Sequence, residues 1–142
     1  MELKIKNKEI NGTAIVKLSY GDKFIITKTR NILFLQSEIS KSMGMYRKKK
    51  LDKSKFYYLF AKYLCSVEAK RVMCEKLFES ENGYEVLKKE LEILIELYPN
   101  SNCTNQNNIP YLPKTVRAAK GSNWLKQNEY LNFMKLLKGY DY

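Results

Sequence analysis

The stretch "GTAIVKLSYGDKFIITKTRN", residues 12–31, decides the fold. Ala14, Val16 and Leu18 share one face of an alternating segment with Ile15 on the other, the period-two pattern of a strand. Phe24, Ile25, Ile26 and Thr27 supply an apolar, β-branched partner. Gly21-Asp22 between them is a two-residue hairpin turn, since glycine takes positive φ without steric cost. Asn31 then caps a helix in which Ile32, Leu35, Ile39 and Met43 fall on one stripe, and Gly44 is the expected stop.

Working outward, Leu3 and Ile5 followed by polar Asn7 make a weak edge-strand pattern. After the first helix comes "YRKKKLDKSK", residues 46–55, a basic connector whose two readings are a solvated loop and a phosphate contact. Phe56, Leu59, Phe60, Tyr63, Leu64 and Val67 have helical spacing, so a helix is predicted over residues 56–74 with its aromatic stripe in the core. A further helix is predicted over residues 83–97, with Leu87, Leu91, Leu94 and Ile95 inward and Pro99 ending it. An Asn-rich loop follows, then a short helix near residues 114–120 and a last one near residues 124–137. The expected class is α/β (α+β), a small antiparallel sheet with its hairpin near the N-terminus, packed by several helices and followed by a C-terminal helical extension.

The 142 residues suit one domain with a sizeable core. With 44% apolar residues the chain is too rich for disorder, and no apolar run approaches a membrane span. "MELKIKNKEI" carries no continuous apolar block, so neither a signal peptide nor an anchor is expected there, and a cytoplasmic or virion location follows. Three cysteines, an odd number without a C-x-x-C pair, and no histidine argue against structural zinc and for buried reduced thiols. The lack of histidine also removes histidine-activated nucleophiles, leaving carboxylates, lysine, tyrosine or a metal for any chemistry.

The net charge of +11 is uneven: residues 1–30 carry +4, residues 31–55 carry +5, residues 56–99 carry −2 and residues 100–142 carry +4. Such a surface suits a phosphate backbone or an acidic neighbour in a large assembly. The candidate phosphate contacts are Arg47, Lys48, Lys49, Lys50, Lys114, Arg117 and Lys120. Trp124, Tyr130, Leu131 and Met134 fall along the last predicted helix and are the candidate partner interface, with more apolar surface than a solvated tail carries.

The order of hairpin, capped helix, further helices and an acidic helix before a proline resembles the GIY-YIG nuclease family. Ala14-Ile15-Val16 stands at the first family motif, Ile25-Ile26-Thr27 at the second, and "KTRNI", residues 28–32, continues in register. "ELEILIELYPNSN" matches the family pattern around its metal-binding glutamate, with Glu90, Leu94, Pro99 and Asn102 at the matching positions. The resemblance covers about residues 12–105, which implies a domain over residues 1–105 and an extension over residues 106–142. It implies a three-stranded antiparallel sheet and a reaction in which two tyrosines handle the attacking water, an arginine stabilises the phosphate and the glutamate holds one divalent metal.

The departures bear on activity. By register Val16 and Ile25 stand where the family has tyrosines, Leu35 where it has arginine, and Ile39 at a common histidine position. Lys28, Glu90 and Asn102 are what remains. Aliphatic side chains supply neither proton transfer nor charge stabilisation, so the expected protein is a non-catalytic, GIY-YIG-like structural or assembly component near nucleic acid, such as a phage ring or connector protein. It would need no cofactor and would sit among other subunits as a homo- or hetero-oligomer, with non-specific contact to nucleic-acid phosphates and no membrane. The alternatives are a magnesium-dependent endonuclease with a rearranged site, using Glu90, Lys28 and Asn102 with tyrosines drawn from Tyr20, Tyr57, Tyr58 or Tyr63, and a non-specific DNA-binding accessory protein.

Overall fold

The computed structural model describes residues 1–97 and 100–105, which form β1 (Glu2–Lys4), β2 (Thr13–Tyr20), β3 (Lys23–Thr29), α1 (Ile32–Arg47), α2 (Tyr58–Ser66), β4 (Arg71–Ser80) and α3 (Gly83–Leu97). The hairpin forms as its alternation requires, with Ala14 opposite Thr29, Val16 opposite Thr27 and Leu18 opposite Ile25. Gly21, at φ +60°, makes the turn. Asn31 caps α1, its side chain accepting from Leu33 N–H at 2.9 Å and Phe34 N–H at 3.3 Å.

Strand order in the sheet is β1-β4-β2-β3. The three strands β4, β2 and β3 are antiparallel, but β1 runs parallel to β4, so the sheet is mixed where a purely antiparallel one was expected. The physical reason is at Leu3, whose side chain is buried in the core beside Val72 while its strand covers the outer edge of β4.

Helices cover both faces. On one, Ala14, Val16, Leu18, Ile25, Val72 and Cys74 pack with the α1 stripe Ile32, Leu35, Ile39 and Met43 and with Phe60, Ala61 and Leu64 of α2. On the other, Ile15, Phe24 and Ile26 pack with Val86, Leu87 and Leu94 of α3. Of the three free cysteines, Cys74 is buried while Cys65 and Cys103 are half-buried.

Two helix ends differ from expectation for the same reason. Helix α1 continues through Gly44 and closes three residues later, with Lys50 N–H bonded to Met45 O and Lys49 N–H to Tyr46 O, both at 2.9 Å. Helix α2 closes the same way, with Ala69 N–H on Leu64 O and Glu68 N–H on Cys65 O. Both are Schellman closures whose left-handed residue, at φ +57° in Lys49 and +52° in Glu68, is not glycine. The helix expected over residues 56–74 therefore stops at Ser66, and residues beyond it turn into the central strand β4. Helix α3 has the predicted bounds, capped by the Asn82 side chain on Tyr84 N–H. The Pro99 stop, the inward side chains of Leu91 and Ile95 and the helices predicted in residues 106–142 lie outside the described residues.

Candidate functional site

Strand β3 is an edge of the sheet, and an edge leaves a row of backbone donors and acceptors open. Residues 102–105 close part of that row. Phe24 N–H donates to Asn102 O at 3.0 Å, Thr104 N–H to Phe24 O at 2.7 Å, and the Thr104 hydroxyl to the same carbonyl at 2.8 Å. Asn105 copies a strand with its side-chain amide, accepting from Ile26 N–H at 2.8 Å and donating to Ile26 O at 2.9 Å. Asn102, a candidate from the family motif, thus acts through its main-chain carbonyl, and its own N–H bonds Asn100 in a local turn.

Lys28 lies two residues beyond Ile26 and is paired across the hairpin with Ile15, which puts it on the α3 face of the sheet. Its ammonium is 3.1 Å from Glu90 Oε1. Glu90 falls three residues after Leu87 and four before Leu94, inside the apolar stripe of α3, and is fully buried. A carboxylate at such a position costs several kcal/mol of desolvation unless a cation compensates it, on the order given for buried ions. The fold therefore brings Lys28 and Glu90 together; Lys28 keeps an exposed side chain at the strand end, whereas Glu90 is not the exposed surface charge that its neighbours in sequence suggest.

The positions that the family resemblance assigns to chemistry are core. Val16, Ile25, Leu35 and Ile39 are each at most 1% exposed and belong to one contiguous apolar cluster. The residues do not fit a resident divalent cation either. The Glu90 carboxylate is closed over by the Lys28 ammonium, and among the described residues no three His, Cys, Asp or Glu side chains converge.

Two cavities flank β3 beyond the part paired with residues 102–105. One, of about 520 Å³, is lined by Lys28, Arg30, Asn31 and Phe34 with the start of α3. The other, of about 720 Å³, is lined by Thr27, Lys41, Lys55, Phe56 and Tyr57 and shares Lys28, Phe34 and Glu38 with the first. Arg30 is steadied by Thr13, whose hydroxyl accepts from its Nε at 3.3 Å. Burial pushes the Tyr57 phenol up to about 12, opposed by its hydrogen bond with Thr27 and aided by the Glu38 charge. Burial also raises the Glu38 carboxyl. Four cations, Lys28, Arg30, Lys41 and Lys55, thus line a groove, and of these only Lys28 is a site candidate from the sequence; the signal present in the sequence is that Lys28 and Arg30 flank Thr29 at the hairpin's end, one turn from the start of α1.

Of the predicted phosphate contacts, Arg47, Lys48, Lys49 and Lys50 are exposed at the C-terminal end of α1, in the Schellman turn. Lys114, Arg117 and Lys120, and the interface residues Trp124, Tyr130, Leu131 and Met134, lie outside the described residues. Among the tyrosines weighed as substitutes, Tyr63 donates to Tyr20 O at 3.0 Å and Tyr58 stacks edge-on against Tyr46. Among the described residues no helix is long and apolar enough to cross a membrane. No family model, no curated protein and no solved structure matches the chain.

Proposed function

We propose that this chain is a non-catalytic, GIY-YIG-like protein that binds nucleic-acid phosphates and serves as a structural or assembly component beside them. The observation that carries the reading is the Lys28–Glu90 pair: the buried carboxylate matching the family's metal ligand, within an apolar helix stripe, is held by a partly exposed lysine 3.1 Å away. The aliphatic packing of Val16, Ile25, Leu35 and Ile39 supports the same conclusion, as does the antiparallel trio β4-β2-β3 for the family likeness. For binding, the support is the net charge of +11 together with the cation-lined groove.

The rearranged nuclease is disfavoured by geometry. Tyr57 bonds Thr27 on the α1 side of the sheet, whereas Glu90 approaches from α3 on the opposite face, and a phenol titrating near 12 is a poor base at neutral pH. Binding without cleavage is tested by titrating labelled nucleic acid at rising salt. Affinity should fall steeply, because each phosphate neutralised releases condensed counterions, and the double variant Lys41→Glu/Lys55→Glu should weaken it at low salt. Affinity indifferent to both salt and charge reversal would exclude the reading.

A further inference from the structure

We propose that the groove along β3 takes a single strand of nucleic acid, with Phe34 as the platform on which a base stacks; this rests on the phosphate-binding reading above. Phe34 is 63% exposed, although the core stripe of its helix is complete without it in Ile32, Leu35, Ile39 and Met43. Its ring borders both cavities. Arg30 lines the first cavity and Lys41 and Lys55 the second, while Lys28, paired with Glu90, borders both.

An aromatic face with Arg30 in one cavity and Lys41 and Lys55 in the other matches the repeat of a single strand, in which bases alternate with phosphates. Groove charge and base stacking together are the general means by which proteins hold unpaired strands. A duplex keeps its base faces covered by neighbouring pairs and offers only its phosphates. Two abutting cavities that share Phe34 also favour consecutive nucleotides over a lone nucleotide. Glu38, the acidic residue lining both cavities, opposes phosphate but accepts hydrogen bonds from base amino groups.

The neighbouring Leu33 supplies the control. It is 65% exposed on the same helix turn and lines neither cavity, so Leu33→Ala removes exposed apolar surface of the same kind outside the groove. Fluorescence anisotropy of the full chain at low salt would compare a labelled strand about 12 nucleotides long with its duplex, in DNA and RNA forms, and with a nucleoside monophosphate as competitor. The strand should bind more tightly than the duplex. Phe34→Ala should weaken strand binding roughly tenfold and leave duplex binding within about twofold, with Leu33→Ala altering neither. The inference is overturned if the duplex binds as tightly, if the two alanine variants act alike, or if the monophosphate competes as well as the strand. Salt-steep duplex binding with a silent Phe34→Ala sinks the single-strand inference alone, whereas no binding of strand or duplex sinks the phosphate-binding reading with it.

Discussion

The Lys28 ammonium sits 3.1 Å from the Glu90 carboxylate, joining the edge strand to the inner face of α3 with the acid enclosed and the lysine about one-third exposed. Removing the lysine leaves a buried carboxylate without its compensating charge, so Lys28→Met should cost roughly 3 kcal/mol, the low end for breaking a buried pair because solvent still reaches the lysine side. Lys28→Met/Glu90→Leu should recover most of that loss. Urea unfolding of the four members of the cycle measures it; additive losses in the double variant would show that the two side chains do not interact.

Placing tyrosines at the two positions that the GIY-YIG resemblance assigns to them should destabilise the protein and confer no activity. Val16 and Ile25 have no exposed surface, so a larger ring must displace its packed neighbours, and the added hydroxyl would enter an apolar cluster. Val16→Tyr or Ile25→Tyr should each lower unfolding free energy by at least about 2 kcal/mol, from overpacking and a buried unpaired hydroxyl. Thermal melts that are unchanged in either variant would mean that these positions face a cleft.

Asn105 closes the sheet edge at Ile26 through two side-chain hydrogen bonds. Asn105→Ala should cost about 2 kcal/mol, since it strips partners from a buried donor and acceptor. It should also accelerate hydrogen exchange at the Ile26 amide more than at Ile15 on the neighbouring strand. Equal effects at both amides would point to global destabilisation instead of an opened edge.

The hairpin, the Asn31 cap, the α1 stripe and the bounds of α3 were legible because each depends on residues close in sequence. Strand β4 was not, because the stop before it uses Glu68 in a left-handed turn, without the glycine that usually marks one. Lys49 hid the end of α1 in the same way, while mid-helix Gly44 offered a false stop. Glu90 was legible in spacing, between Leu87 and Leu94, but its charge suggests an exposed face until the partner lysine is brought near by the fold. The role of Asn105 depends on a main-chain edge 79 residues away, which no local pattern announces.

Tyr57 should give an alkaline signature. Below about pH 10 the phenol is protonated in both folded and unfolded chains; between about 10 and 12 the unfolded chain loses the proton while the folded one, with its value raised by burial, keeps it. Stability contributed by this group is therefore present below pH 10 and is lost as pH rises toward 12, by up to about 2 kcal/mol. Tyr57→Phe should flatten that part of the stability profile relative to the parent chain, and parallel profiles for the two proteins over this window would contradict the burial of the phenol.

The most direct test of the central claim is incubation of the full chain with end-labelled DNA and RNA in magnesium, at salt low enough for binding, followed by denaturing electrophoresis. Bound nucleic acid should be recovered uncut, in the parent chain and in Glu90→Gln alike. Magnesium-stimulated cleavage that vanishes in a folded Glu90→Gln variant would contradict it, and would make the Lys28–Glu90 pair a resting state of a metal site.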